Sequence, residues 1–210
     1  MSFRTVVVVL AGGASIAAGT FLATRAAYSQ EGARPSGGAM PSEEEIWKML
    51  AERGAPVDEH RKLAALAGTW DAEIDCSGCG DPGGAAAKPS KGTWTSESLL
   101  GGRLLLSRYE GDLAGRPYQG VELRGYDKEK QRHWAIWCDS MSTGGLRSLG
   151  ERAADGAVAL RSEEYDCMGM TCVLDLTKKS PDADHQSLEM VCRSPGAPDQ
   201  TMKIRYTRRK

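Results

Sequence analysis

The sequence has almost no net charge and almost no phenylalanine. Lysine and arginine number 27 against 28 aspartate and glutamate, for a formal charge of −1. An electrostatic nucleic-acid binder would carry a basic excess or stripe, so the balance argues against that class. Both phenylalanines, Phe3 and Phe21, stand in the first 29 residues. The rest of the chain must draw its aromatics from Trp and Tyr, whose polar tips need partners when buried. There is no Gly-x-Ser-x-Gly elbow, no phosphate-binding loop and no repeat of fixed period. His60, His133 and His185 show neither His-x-His nor His-x-x-x-His spacing, so only the fold could gather them round a metal.

What is present is a 210-residue chain, 40% hydrophobic, with 25 glycines. That is apolar content enough for a core and a composition rich in turns. Arg4 precedes Thr5–Thr24, which carries no charge, and small residues follow. This reads as a signal peptide over 1–29, cut after Ala27-Tyr28-Ser29. The alternative is an uncleaved anchor, since about twenty uncharged residues can span a bilayer. Membrane contact would then be confined to residues 5–24. Either way the remainder is expected to be exported, in the periplasm or outside the cell.

Residues 30–41, rich in Gly, Ala, Ser and Pro, read as a linker. Ser42 and Glu45 form a capping-box pattern that opens a helix within 42–56, with Ile46, Met49 and Leu50 on one face and Gly54 at its end. A second short helix is expected over about 58–66, with Leu63 and Leu66 inward. From Gly68 the texture changes to short Trp, Tyr, Leu, Val and Thr segments between Gly, Asp, Pro and Lys clusters. That pattern predicts ten antiparallel strands, near 69–76, 91–99, 103–111, 117–126, 131–139, 145–153, 157–166, 171–178, 185–193 and 200–208. Residues 77–90 form the one long loop. A mainly all-β domain over 57–210, closed as an up-and-down barrel, would leave no exposed edge.

The segment His60-Arg61-Lys62-Leu63-Ala64-Ala65-Leu66-Ala67-Gly68-Thr69-Trp70 resembles the opening of the bacterial family known as domain of unknown function 1579. Gly101-Gly102-Arg103, Tyr109-Glu110-Gly111, Pro117-Tyr118-Gln119-Gly120, Gly125-Tyr126-Asp127, Trp137-Cys138-Asp139-Ser140 and Tyr206-Thr207-Arg208 follow in matching order. The resemblance covers about residues 57–208 and implies a lipocalin-like barrel. It carries no established activity. Gly68-Thr69-Trp70 is similar to the Gly-x-Trp of the first lipocalin strand. Physically, Gly68 permits a tight passage into the sheet, and Trp70 can plug one end of the barrel with its N–H on a nearby carbonyl.

Six cysteines, Cys76, Cys79, Cys138, Cys167, Cys172 and Cys192, depart from the family pattern. An even number in an exported chain points to disulfides. Cys76 with Cys79 and Cys167 with Cys172 are the local pairs, leaving Cys138 and Cys192 as a long-range pair or two buried thiols. A zinc site from the two local pairs and a redox role for Cys76 and Cys79 are the rival readings. A haem would need an edge histidine beside a large cavity, which His185 could supply; no cofactor is otherwise expected.

Alternation puts Ala135, Trp137 and Asp139 on one face of their strand. If that face is inward, Asp139 needs a partner, with Arg103, Arg124, Arg147 or Arg161 as candidates. Trp94, Tyr109, Tyr126, Trp137, Asp139 and Tyr165 are the candidate ligand-binding residues. The leading expectation is a non-catalytic binder of a small apolar or amphipathic molecule. A structural module with a side-chain-filled barrel is second, and an enzyme using Asp139 is third. Cavity volume discriminates: a binder should hold a pocket of about 300 Å³ or more.

Overall fold

The chain alternates inward and outward side chains strand after strand from Gly68 onward, and ten of these strands close on themselves. The computed structural model describes residues 41–76, 89–167 and 169–210. The expected signal or anchor, nearly all of the linker, and the loop from Ser77 to Lys88, including Cys79, lie outside the described residues. Residues 49–210 make one compact unit.

Helix α1 (Glu43–Arg53) opens on the anticipated cap: Ser42 N–H donates to Glu45 Oε2 at 2.7 Å, and Glu45 N–H to Ser42 Oγ at 3.3 Å. Its apolar residues are not buried, however; Ile46, Met49 and Leu50 are all exposed. Helix α2 (Asp58–Ala64) buries His60 and Leu63. Strands β1 (Gly68–Cys76), β2 (Ser90–Leu99), β3 (Leu104–Leu113), β4 (Arg116–Asp127), β5 (Arg132–Asp139), β6 (Leu146–Arg152) and β7 (Val158–Ser162) follow as a meander. The remaining strands are β8 (Tyr165–Cys167), β9 (Met170–Lys179), β10 (His185–Arg193) and β11 (Gln200–Arg208). The order is β10-β11-β1-β2-β3-β4-β5-β6-β7-β9, and the β9–β10 pairing closes the ring. This is the expected antiparallel barrel. Closure pairs the edges that an open sheet would expose.

One expectation needs correction. The single strand read over 157–166 is two, β7 and β8, so the described residues hold eleven strands, ten of them in the ring. Arg161 pairs with Asp175, but Tyr165 pairs with Cys172. Three residues, 162–164, therefore face two, 173–174, which is a bulge. Ser162 holds it: its Oγ accepts the Leu174 N–H and donates to the Glu163 carbonyl, both at 2.8 Å.

Trp70, Ile74, Trp94, Tyr109, Ile204 and Tyr206 form the centre of the core. Trp137 stacks on Trp94 at 5.9 Å with ring planes 2° apart. Gly120 makes room for it, since a Cβ there would lie 2.1 Å from the Trp137 ring. Tyr118 packs against both Tyr109 and Trp137. These rings fill the barrel on the side away from α2. The half beneath α2 is built differently.

Candidate functional site

On β4, Val121 points outward and is 40% exposed, whereas Gly120, Glu122 and Arg124 are buried. The apolar residues of this segment thus face solvent and the charged ones face the barrel. On β9 the inward row that begins with Cys172 and Leu176 reaches Lys178. On β11 it reaches Tyr206. Barrel closure brings these three strands' side chains to one place. Lys178 Nζ donates to Glu122 Oε1. Arg124 Nε lies 3.1 Å from Glu122 Oε2, without hydrogen-bond geometry. The side chains are 13%, 6% and 10% exposed for Lys178, Glu122 and Arg124, too little for bulk water to screen them.

Burial works against the Glu122 carboxylate, but Lys178 and Arg124 outweigh it and hold its pKa below the ordinary value. Burial likewise pulls Lys178 down to about 8, with Glu122 opposing. Both are therefore charged near neutrality. Burial pushes the Tyr206 phenol up, so it stays a neutral donor. Two cations thus share one carboxylate.

The cluster lines a cavity of about 470 Å³. Leu63, Trp94, Val158, Leu160 and Leu188 give it an apolar wall, and exposed Lys62, Gly156, Ser180 and Asp182 form the rim. Beside it lies a second polar group, of which Arg152 and His133 line the cavity. Glu59 on α2 accepts from Arg152 Nε at 2.9 Å and Nη2 at 2.6 Å, and from Lys62 Nζ at 2.6 Å. His133 Nε2 is 3.1 Å from the same carboxylate. Burial lowers the His133 pKa, leaving a neutral ring at pH 7. Burial also opposes ionisation of Glu59, yet the Arg152 and Lys62 hydrogen bonds bring its pKa down to about 2.

A depressed carboxylate stabilises the folded state above its unfolded pKa, and that stabilisation disappears as pH falls through the folded value. Urea unfolding at a series of pH values is expected to show stability falling between about pH 4.5 and about pH 2. Glu59→Gln should flatten that slope; an unchanged slope would contradict the role given to Glu59.

Of the six candidate ligand residues, only Trp94 lines this cavity. Tyr109 donates its O–H to the Asp112 carbonyl at 2.9 Å, and burial raises its pKa to about 12. Tyr126 packs edge-on against His60 and also against His133 at 4.9 Å. Asp139 does face inward with Trp137, but none of the expected arginines meets it. Its Oδ2 accepts from Trp137 Nε1 at 2.9 Å and Tyr118 O–H at 3.1 Å, and its Oδ1 from Met141 N–H at 2.9 Å. Aromatic tips do the work assigned to arginine, because the far end of the barrel is filled by their rings. Tyr165 sits 3.5 Å from Cys192 Sγ. Glu122, Lys178, Arg152 and His133 were missed as site residues. The available signal was parity: Lys178 continues the row of Leu174 and Leu176, and Glu122 shares the row of Gly120.

The Gly-x-Trp segment is placed as anticipated. Gly68 has φ +136°, and Trp70 is fully buried with Nε1–H on the Leu66 carbonyl at 3.1 Å. His185 does not face the main cavity; it is exposed and held by Asp182. The surface it lines is a separate, shallower one beside Glu73 and Arg205.

Cys76 is disulfide-bonded, while Cys138, Cys167, Cys172 and Cys192 are thiols. The Cys138–Cys192 pairing is not formed: Cys138 is exposed on β5, which does not neighbour β10. Burial, with Cys172 nearby, pushes the Cys167 and Cys192 thiols up, and Cys172 Sγ is 2.8 Å from Ser194 Oγ. Under native conditions iodoacetamide is expected to modify Cys138 first and Cys172 last. Peptide mapping checks this, and equal rates would contradict the burial of Cys172, which is 1% exposed. Among the described residues no three His, Cys, Asp or Glu side chains are placed to hold a metal, and no helix is long and apolar enough to cross a membrane.

No curated protein matches the chain. Among solved structures, a redesigned β-barrel aligns at TM-score 0.38 and 10% identity, covering 71% of this chain and 96% of its own. A de novo designed fluorescence-activating β-barrel aligns at TM-score 0.39 and 15% identity, covering 73% and 100%. The family model for proteins of unknown function DUF1579 matches residues 55–208, and the chain belongs to that family.

Proposed function

We propose that this protein is an exported binding module that holds a small amphipathic molecule in the half of the barrel beneath α2. The observation that carries this reading is the cavity of about 470 Å³ with an apolar wall and a few convergent polar groups. It exceeds the roughly 300 Å³ that a small-molecule site needs. The rings of Tyr109, Tyr118 and Trp137 fill only the other half, so a wholly plugged structural barrel is the weaker alternative. Export rests on the signal-like pattern of residues 1–29. In an oxidising compartment Cys172 would close a disulfide with Cys167 or Cys192, and intact mass with and without reductant tests this.

Titration with the neutral dye N-phenyl-1-naphthylamine tests the cavity itself. Saturable fluorescence enhancement is expected in the parent protein and is expected to vanish in Leu160→Trp, where the new indole occupies the space. Binding that survives unchanged in a folded Leu160→Trp variant would overturn the reading.

A further inference from the structure

The charges inside the cavity do not balance, and this identifies the ligand class. Lys178 and Arg124 face it with one carboxylate, Glu122, between them. Arg124 is nine-tenths buried, and no described residue accepts a hydrogen bond from its Nε. A guanidinium has five donors in a fixed fork that matches a carboxylate. Tyr206 adds a neutral phenol on the same wall. Lys178 is already engaged with Glu122, so the buried donor left without a partner is Arg124 Nε.

Resting on the binding reading above, we infer that the cavity takes an amphiphile with a single carboxylate head, held by Arg124 with Lys178 and Tyr206 beside it. One negative charge is what the cluster lacks, since two cations already share one carboxylate. A buried uncompensated cation is costly, and an incoming monoanion removes that cost at the same moment as it gains charge-assisted hydrogen bonds. The apolar part of the ligand then lies along Leu63, Leu160 and Leu188. Toward the mouth Arg152 and Lys62 are matched by Glu59 and Asp182, so the pull on an anion comes from the interior cations Arg124 and Lys178.

Calorimetric titration of the full chain with dodecanoate and with dodecanol, both below their aggregation limits, separates this inference from the reading it rests on. Dodecanoate is expected to bind about tenfold tighter or more, because only it carries the head group. Arg124→Met should bring the two affinities together. Glu122→Gln should raise the ratio of dodecanoate to dodecanol affinity, a gain that a merely structural role for Glu122 would not produce. Equal binding of the two ligands by the parent protein would overturn the carboxylate inference and leave the cavity reading standing. If neither binds, while N-phenyl-1-naphthylamine does not bind either, the cavity reading falls and takes the inference with it.

Discussion

Glu122→Gln is expected to destabilise the protein by about 3–5 kcal/mol at pH 7, the cost of leaving buried charge without its counter-ion. The substitution strands both Lys178 and Arg124, which are 13% and 10% exposed. Arg124→Met should cost far less, because the Lys178–Glu122 hydrogen bond and a balanced ion pair remain. The order of these two variants is the informative result. If urea unfolding showed Arg124→Met to be the more damaging, Glu122 would not be the shared counter-ion. The contrast also separates stability from binding. The variant that hurts the empty protein most is the one expected to hold an anion best, and the anion should then restore part of its stability by mass action.

Trp70→Ala is expected to cost a further about 3–5 kcal/mol in its own right, as a large buried aromatic replaced by a methyl group. More than volume is lost. The Arg208 guanidinium lies 4.0 Å from the centre of the Trp70 ring, and it donates to the carbonyls of Ala65, Ala67 and Ala183. Trp70 and Arg208 together fasten the chain leaving α2 to the last strand. Trp70→Phe keeps most of the packing but leaves the Leu66 carbonyl without its donor, so its cost should be smaller, about 1–3 kcal/mol. Gly68 belongs to the same arrangement: a Cβ there would lie 2.5 Å from Arg208 Nη1, at a φ that side chains rarely adopt. A Trp70→Ala cost below about 1 kcal/mol would show that the plug is not structural.

The barrel was readable from the sequence because turn chemistry and alternation are local signals. β10 and β11 fall where the pattern puts them, and most other strand ends shift by one or two residues. The bulge at 162–164 was not readable, since it depends on a Ser162 side chain replacing a ladder hydrogen bond with β9. Trp70 was legible because Gly-x-Trp names both the turn and the ring. The ionic cluster was not, for a physical reason. Hydrophobic patterning assumes that apolar residues face inward, and β4 does the opposite at Val121 and Glu122. Only barrel closure, which sets β9 and β11 against β4, turns three separate oddities into one charged site. Asp139 failed the other way: its inward placement was legible from alternation, but its aromatic partners come from Tyr118 on β4 and its own strand neighbour Trp137.

The most direct test of the central claim, that the half-filled barrel is a container, is native mass spectrometry of the protein purified from its own source. A retained small molecule is expected, bound one to one and released on acid unfolding. A protein that comes through with no added mass, and that also fails to take up N-phenyl-1-naphthylamine or dodecanoate, would contradict the account.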